Sequence, residues 1–119
     1  MAKRPNQLDF EDVRRIALEL PDVQESATSR GTALKVRGRI LTCPAIHASA
    51  EPNSIMVRVS FEERAWLLAT EPDRYYLTDH YSGYPAILVR LAQTNPRVLR
   101  DLLDKAREFG VGKVRRRKR

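Results

Sequence analysis

One cysteine, Cys43, is all the chain has, so no internal disulfide can form and the fold must stand on packing. A lone thiol fits a reducing compartment. Long apolar runs are also missing: none approaches the ~20 residues of a membrane-spanning helix. Residues 1–7 lack the apolar segment of a signal peptide. The expectation is a cytoplasmic protein with no membrane partner. Phosphate-cradling glycine motifs are absent, because Gly110-Val111-Gly112-Lys113 has the wrong spacing and follows a helical pattern rather than opening one. Soft metal ligands reduce to Cys43, His47 and His80, and Cys43-x3-His47 lacks the second pair that a zinc site needs. No metal and no cofactor is expected. A nucleophile held by its base is wanting too. His80 and Ser82 are neighbours only in sequence, and Glu62, Glu63, Asp73 and Asp79 sit where helix caps and turns use carboxylates. No catalytic residue is assigned, and the chain reads as non-enzymatic.

Acidic excess is missing as well. The formal net charge is +7, and its placement is uneven. Lys113, Arg115, Arg116, Arg117, Lys118 and Arg119 crowd the last seven residues, and Lys3 and Arg4 stand near the start. Residues 8–112 hold fourteen basic against fifteen acidic side chains and are close to neutral. A near-neutral body with a basic arm suits a polyanionic partner; a solvated terminus that aids solubility is the alternative.

At 119 residues the chain is long enough for one domain with its own core. Residues 1–8 read as a flexible lead, 9–112 as the domain and 113–119 as a disordered basic tail. Asp9 caps a helix whose apolar stripe is Phe10, Val13, Ile16, Ala17 and Leu20, ended by Pro21. Residues 22–31 lack a period and read as a connector or a short irregular strand. Leu34 to Cys43 reads as a hairpin with Gly38 supplying the positive φ of its turn. Ile55–Val59 alternates as a strand. Ser60 and Glu63 open a second helix. Tyr75-Tyr76-Leu77 reads as a short strand, residues 79–85 as a turn-rich loop and Ala86–Leu91 as a strand. Asn95 and Pro96 start a last helix, striped by Val98, Leu99, Leu102, Leu103, Ala106 and Phe109, with Gly110 as its left-handed stop. The expected fold class is α+β: two layers, a mostly antiparallel sheet with helices on one face, in the order α-β-β-β-α-β-β-α.

Two residue clusters carry a resemblance. Val13-Arg14-Arg15-Ile16-Ala17-Leu18-Glu19-Leu20-Pro21-Asp22-Val23-Gln24-Glu25, with Gly31 and Lys35-Val36-Arg37-Gly38-Arg39-Ile40, resembles the opening of MmcQ/YjbR-like proteins. Pro72-Asp73-Arg74-Tyr75-Tyr76-Leu77-Thr78, with Tyr81-Ser82-Gly83-Tyr84 and Val89-Arg90-Leu91, is similar to that family's second half. The resemblance spans residues 9–112 and leaves out the arginine-rich tail. It implies the same α+β fold, a double-wing arrangement described as DNA-binding, and kinship of fold with secretion-chaperone-like proteins.

The candidate sites follow from strand alternation. If Leu34, Val36, Ile55, Val57, Val59, Ile87, Val89 and Leu91 face the helices, then Lys35, Arg58 and Arg90 share the opposite face. Arg37 and Arg39 flank the Gly38 turn as a basic wing. These cations and the tail would contact the phosphates of a nucleic acid, expected to be DNA, with little sequence specificity. The rival is a solvated face whose arginines pair with carboxylates such as Glu51. Tyr75 and Tyr76 straddle the sheet. Tyr76, Tyr81, Tyr84 and His80, with Arg74, form a second candidate set, either packing the loop or stacking on bases or a planar ligand. Two alternatives stand beside nucleic-acid binding: a protein partner docking on Met56 and Leu88, and a small-ligand or enzymatic pocket at the tyrosine loop.

Overall fold

The computed structural model describes residues 7–29 and 31–112. Lys3, Arg4, Arg30 and the basic tail from Lys113 to Arg119 lie outside them.

The chain runs α1 (Phe10–Leu18), β1 (Val23–Thr28), β2 (Gly31–Val36), β3 (Arg39–Pro44), β4 (Ser54–Arg58), α2 (Phe61–Thr70), β5 (Tyr75–Tyr76), α3 (Asp79–Ser82), β6 (Ala86–Arg90), a 3-10 turn (Leu91–Gln93) and α4 (Pro96–Gly110). The strands form one sheet in the order β1-β2-β3-β4-β6-β5, every pairing antiparallel. The fold is α+β. Two elements differ from the expected order. Residues 22–31, which show no apolar period, contribute β1 as the sheet edge; an edge strand buries little, and half-exposed positions leave no stripe to read. The turn-rich stretch after Tyr76 winds into the single turn α3.

Local chemistry explains the helix starts. Asp9 and Asp12 exchange side-chain-to-backbone bonds at the head of α1. Ser60 accepts from the Glu63 amide, and Asn95 accepts from Val98 with Pro96 at the first helical position. The β2–β3 turn has φ of 51° at Arg37 and 81° at Gly38. Two positive φ values make the primed turn that matches strand twist.

One apolar core lies between the sheet and α1, α2 and α4. Leu34, Ile55, Val57, Ile87 and Val89 meet Val13, Ala17, Leu67, Leu99 and Leu103 there. Each fully buried Leu or Ile contributes about 1.5–3 kcal/mol by leaving water. Tyr75 faces this core, and burial pushes its phenol pKa up. The small helix α3 packs against β6 and helps wall the other face of the sheet. Leu8 is buried against the core and its carbonyl accepts from Asn53, so the domain begins one residue earlier than the sequence suggests.

Gly110 has a different reason from the one its position implies. It is the last residue of α4, and the left-handed conformation falls at Gly112, with φ 81°. A Cβ at Gly110 would lie 2.5 Å from Val36 Cγ1. Valine is stiff at χ1 and cannot swing aside cheaply. Gly110→Ala is therefore expected to destabilise the fold by about 1–2 kcal/mol, overpacking outweighing the gain in helix propensity. Urea unfolding checks this; an unchanged or raised midpoint would show that α4 can shift freely.

Candidate functional site

The face of the sheet away from the main helices is not open throughout. The register sets Cys43, Met56, Leu88 and Tyr76 in one row across β3, β4, β6 and β5. At the β5 end this row is closed. Leu88 is fully buried, so the expected partner-docking patch of Met56 and Leu88 does not exist as a surface. Near this end of the face the segment 45–53 is tied down, and α3 packs on β6.

Arg90 does the tying. Its Nε donates to Glu51 Oε1 at 2.8 Å and its Nη2 to Glu51 Oε2 at 2.9 Å. Its Nη1 donates to the carbonyls of Pro72 and Asp73. The guanidinium lies over the Tyr76 ring, 4.4 Å from its centre. The Tyr76 hydroxyl accepts from the Glu51 amide at 2.7 Å and bonds Ser54 Oγ at 2.7 Å. The guanidinium holds the Glu51 carboxyl below its usual pKa, and the carboxylate raises that of Arg90. Arg90 lies on the expected face, yet its donors are spent on the protein, which corrects its reading as a phosphate contact. Arg74 is spent similarly, on Glu71 and the Gln93 carbonyl. Tyr76 is a strut for the 45–53 segment rather than a platform.

Toward β1 the face stays open as a cleft of about 1060 Å³. Its floor is Ala33, Ile40, Cys43, Met56 and Ala86. One end is formed by the hairpin and the end of β4, with Gly38, Arg39 and Arg58; register places Lys35 opposite Ile40 there. The other end is the β1–β2 turn, Thr28 and Ser29, facing the 44–48 stretch. The wall is α3 and its exit, with His80, Tyr81 and Tyr84. His80 lies flat on His47, with centroids 3.6 Å apart and planes within 8°. Tyr81 stands edge-on to both. The Ser49 amide donates to His47 Nδ1, which leaves its Nε2 as the protonated nitrogen of the neutral ring. Ser49 Oγ in turn bonds Thr78 Oγ1. Tyr84 is 58% exposed. Arg64 of α2 holds the exit of α3 through the carbonyls of Ser82, Tyr84 and Ala86. Burial raises the Cys43 thiol pKa, so it is a weak nucleophile.

The structure thus splits the sequence candidates. Arg39, Arg58, His80, Tyr81 and Tyr84 meet at the cleft, with Lys35 and Arg37 at its cationic end; Arg74, Tyr76 and Arg90 form the support behind it. Lys113 to Arg119 lie outside the described residues. His47 and Ile46 went unread as wall residues, since nothing local marks a loop that folds back. Among the described residues no group of three metal-ligating side chains gathers.

Charge is unevenly satisfied across the body. Arg14, Arg15, Arg74, Arg90, Arg100, Lys105 and Arg107 all have carboxylate partners. Lys35, Arg37, Arg39 and Arg58 have none among the described residues. Arg58 Nε is buried without a hydrogen-bond partner, its guanidinium carbon 5.9 Å from the Phe109 ring centre.

An uncharacterised protein of Mycobacterium bovis and uncharacterised proteins of two Mycobacterium tuberculosis strains are each 46% identical to the chain over 63 residues, 50% of this chain and 49% of the relative. The chain thus matches about half the length of these curated relatives. No protein-family model and no solved structure matches it.

Glu51→Gln is expected to loosen the 45–53 segment and speed modification of Cys43 several-fold. Glu51 is substantially exposed, so the cost in global stability stays within about 1 kcal/mol. The pair also has a pH signature. Because the folded carboxyl is depressed, its contribution is complete above the unfolded value, about 4.3, and is lost as pH falls through the folded one. The Glu51 amide resonance should move as the pH falls through this depressed value in the parent and stay still in Glu51→Gln; identical titrations would remove Glu51 as the tether.

Proposed function

We propose that the protein is a non-enzymatic nucleic-acid-binding protein of low sequence specificity, contacting phosphates with the cationic end of its open sheet face. One observation carries the reading: among the described residues, Lys35, Arg37, Arg39 and Arg58 have no carboxylate partner and lie at the hairpin and the adjoining end of β4, while cations elsewhere are largely paired. A cluster of unpaired like charges repels itself, and a polyanion relieves that repulsion by releasing its own counterions. The two-residue Arg37-Gly38 turn and the residue after it carry two of the cations, Arg37 and Arg39. The resemblance to the double-wing family accords with a hairpin used this way and favours DNA. The tail from Lys113 would add phosphate contacts without adding specificity. A cytoplasmic setting suits both a reduced Cys43 and access to nucleic acid.

The test is binding measured against salt by fluorescence anisotropy. Arg37→Asn keeps the positive φ that the turn requires, since asparagine is favoured before glycine in this turn type, and removes only charge. Together, Arg37→Asn and Arg39→Gln should weaken binding at about 50 mM salt and flatten the log–log salt slope by about 2 on a duplex. Absence of binding at that salt, or a slope indifferent to both substitutions, would defeat the reading.

A further inference from the structure

We infer that the nucleic acid enters as an unpaired strand, one of its bases lying in the cleft beside His80 and Tyr84 while Arg39 and Arg58 hold an adjoining phosphate. The inference rests on the nucleic-acid reading and adds the state of the strand.

Shape is the first reason. The cleft is a recess between the β2–β3 hairpin and α3, with Cys43 and Met56 at its floor. A duplex is convex and keeps the faces of its bases stacked, offering only edges within its grooves. It would meet the Arg37-Gly38 turn and leave the floor empty. An unpaired base has two free faces and can be turned into a recess.

The lining is the second reason. The wall presents aromatic rings that the core does not use: the His47–His80 stack and the exposed Tyr84. Stacking on such rings tolerates any base, because every base has a π face. The floor is apolar and soft and offers no fixed donor–acceptor pattern, which agrees with weak sequence preference.

The third reason is the order of parts. Cations stand at one end of the recess and rings along its wall, the sequence of groups met along a nucleotide from phosphate to base.

The sole cysteine makes the inference testable, because Cys43 reports whether the floor is covered. The full chain is titrated with an oligothymidylate of about twelve nucleotides and with a duplex of equal length, at about 50 mM salt, with thiol modification followed in parallel. The single strand is expected to bind at least about fivefold more tightly than the duplex and to slow Cys43 modification several-fold, the duplex leaving it unchanged. Tyr84→Ala should weaken the single strand about tenfold without affecting the duplex, and Tyr84→Phe should restore it. Tyr84 is exposed, so both variants are expected to fold, which circular dichroism verifies. Equal or tighter duplex binding, or an unprotected thiol at saturating oligothymidylate, overturns the inference while nucleic-acid binding stands. If neither oligonucleotide binds, the underlying reading falls with it.

Discussion

The bidentate pairing of Arg90 with Glu51 is the contact on which the open face depends. It joins the end of β6 to a segment with no regular structure of its own. Without it, the 45–53 stretch would keep the Tyr76 and Tyr81 hydroxyls, the Ser49–Thr78 bond and the His47–His80 stack, but no charged tether. With it, that stretch is held at the β5 end of the face, and toward β1 the face is a recess with walls. The pair is half in water, so it adds little to global stability. Its effect is positional: a planar guanidinium against a carboxylate and a tyrosine ring admits few geometries.

The same economy recurs around the cleft. Arg64 gathers the carbonyls of Ser82, Tyr84 and Ala86, so a long cation of α2 fixes the turn that presents Tyr84. Ser49 bridges His47 and Thr78 and aligns one imidazole on the other. Arginines around the sheet that look interchangeable in the sequence therefore differ in role. Arg64, Arg74 and Arg90 face a carboxylate or backbone carbonyls and fix the surroundings of the cleft. Among the described residues, those at the hairpin and the end of β4 face no carboxylate, and they leave the near-neutral body with a local excess of positive charge.

Much of the fold was legible in the chain because its signals are local. The α4 stripe, the Asn95-Pro96 start and the Asp9 cap each depend on residues within one or two turns. Alternation in β4 and β6 assigned faces correctly, and Tyr75 and Tyr76 straddle the sheet as their adjacency requires. β1 was obscure because an edge strand carries no apolar period. The role of Gly110 was obscure because the atom that forbids a side chain there belongs to Val36, far away in sequence. The surroundings of the cleft are legible only in part: strand alternation and the Gly38 turn point to Arg58 and Arg39, and the tyrosine loop to His80, Tyr81 and Tyr84, whereas His47 reads in the sequence only as a metal ligand.

By itself the sequence determined an α+β domain without disulfides, its helix boundaries, the inward faces of its main strands and the concentration of cations near the hairpin. These follow from periodicity, capping and composition, which act over a few residues. Only the tertiary structure decided which cations are free. Whether an arginine holds a loop or awaits a phosphate depends on a carboxylate brought to it across the fold, and Glu51 reaches Arg90 from 39 positions away. The recess itself is tertiary too, since it arises where a returning loop, a one-turn helix and a hairpin each cover part of one sheet and stop short of one another.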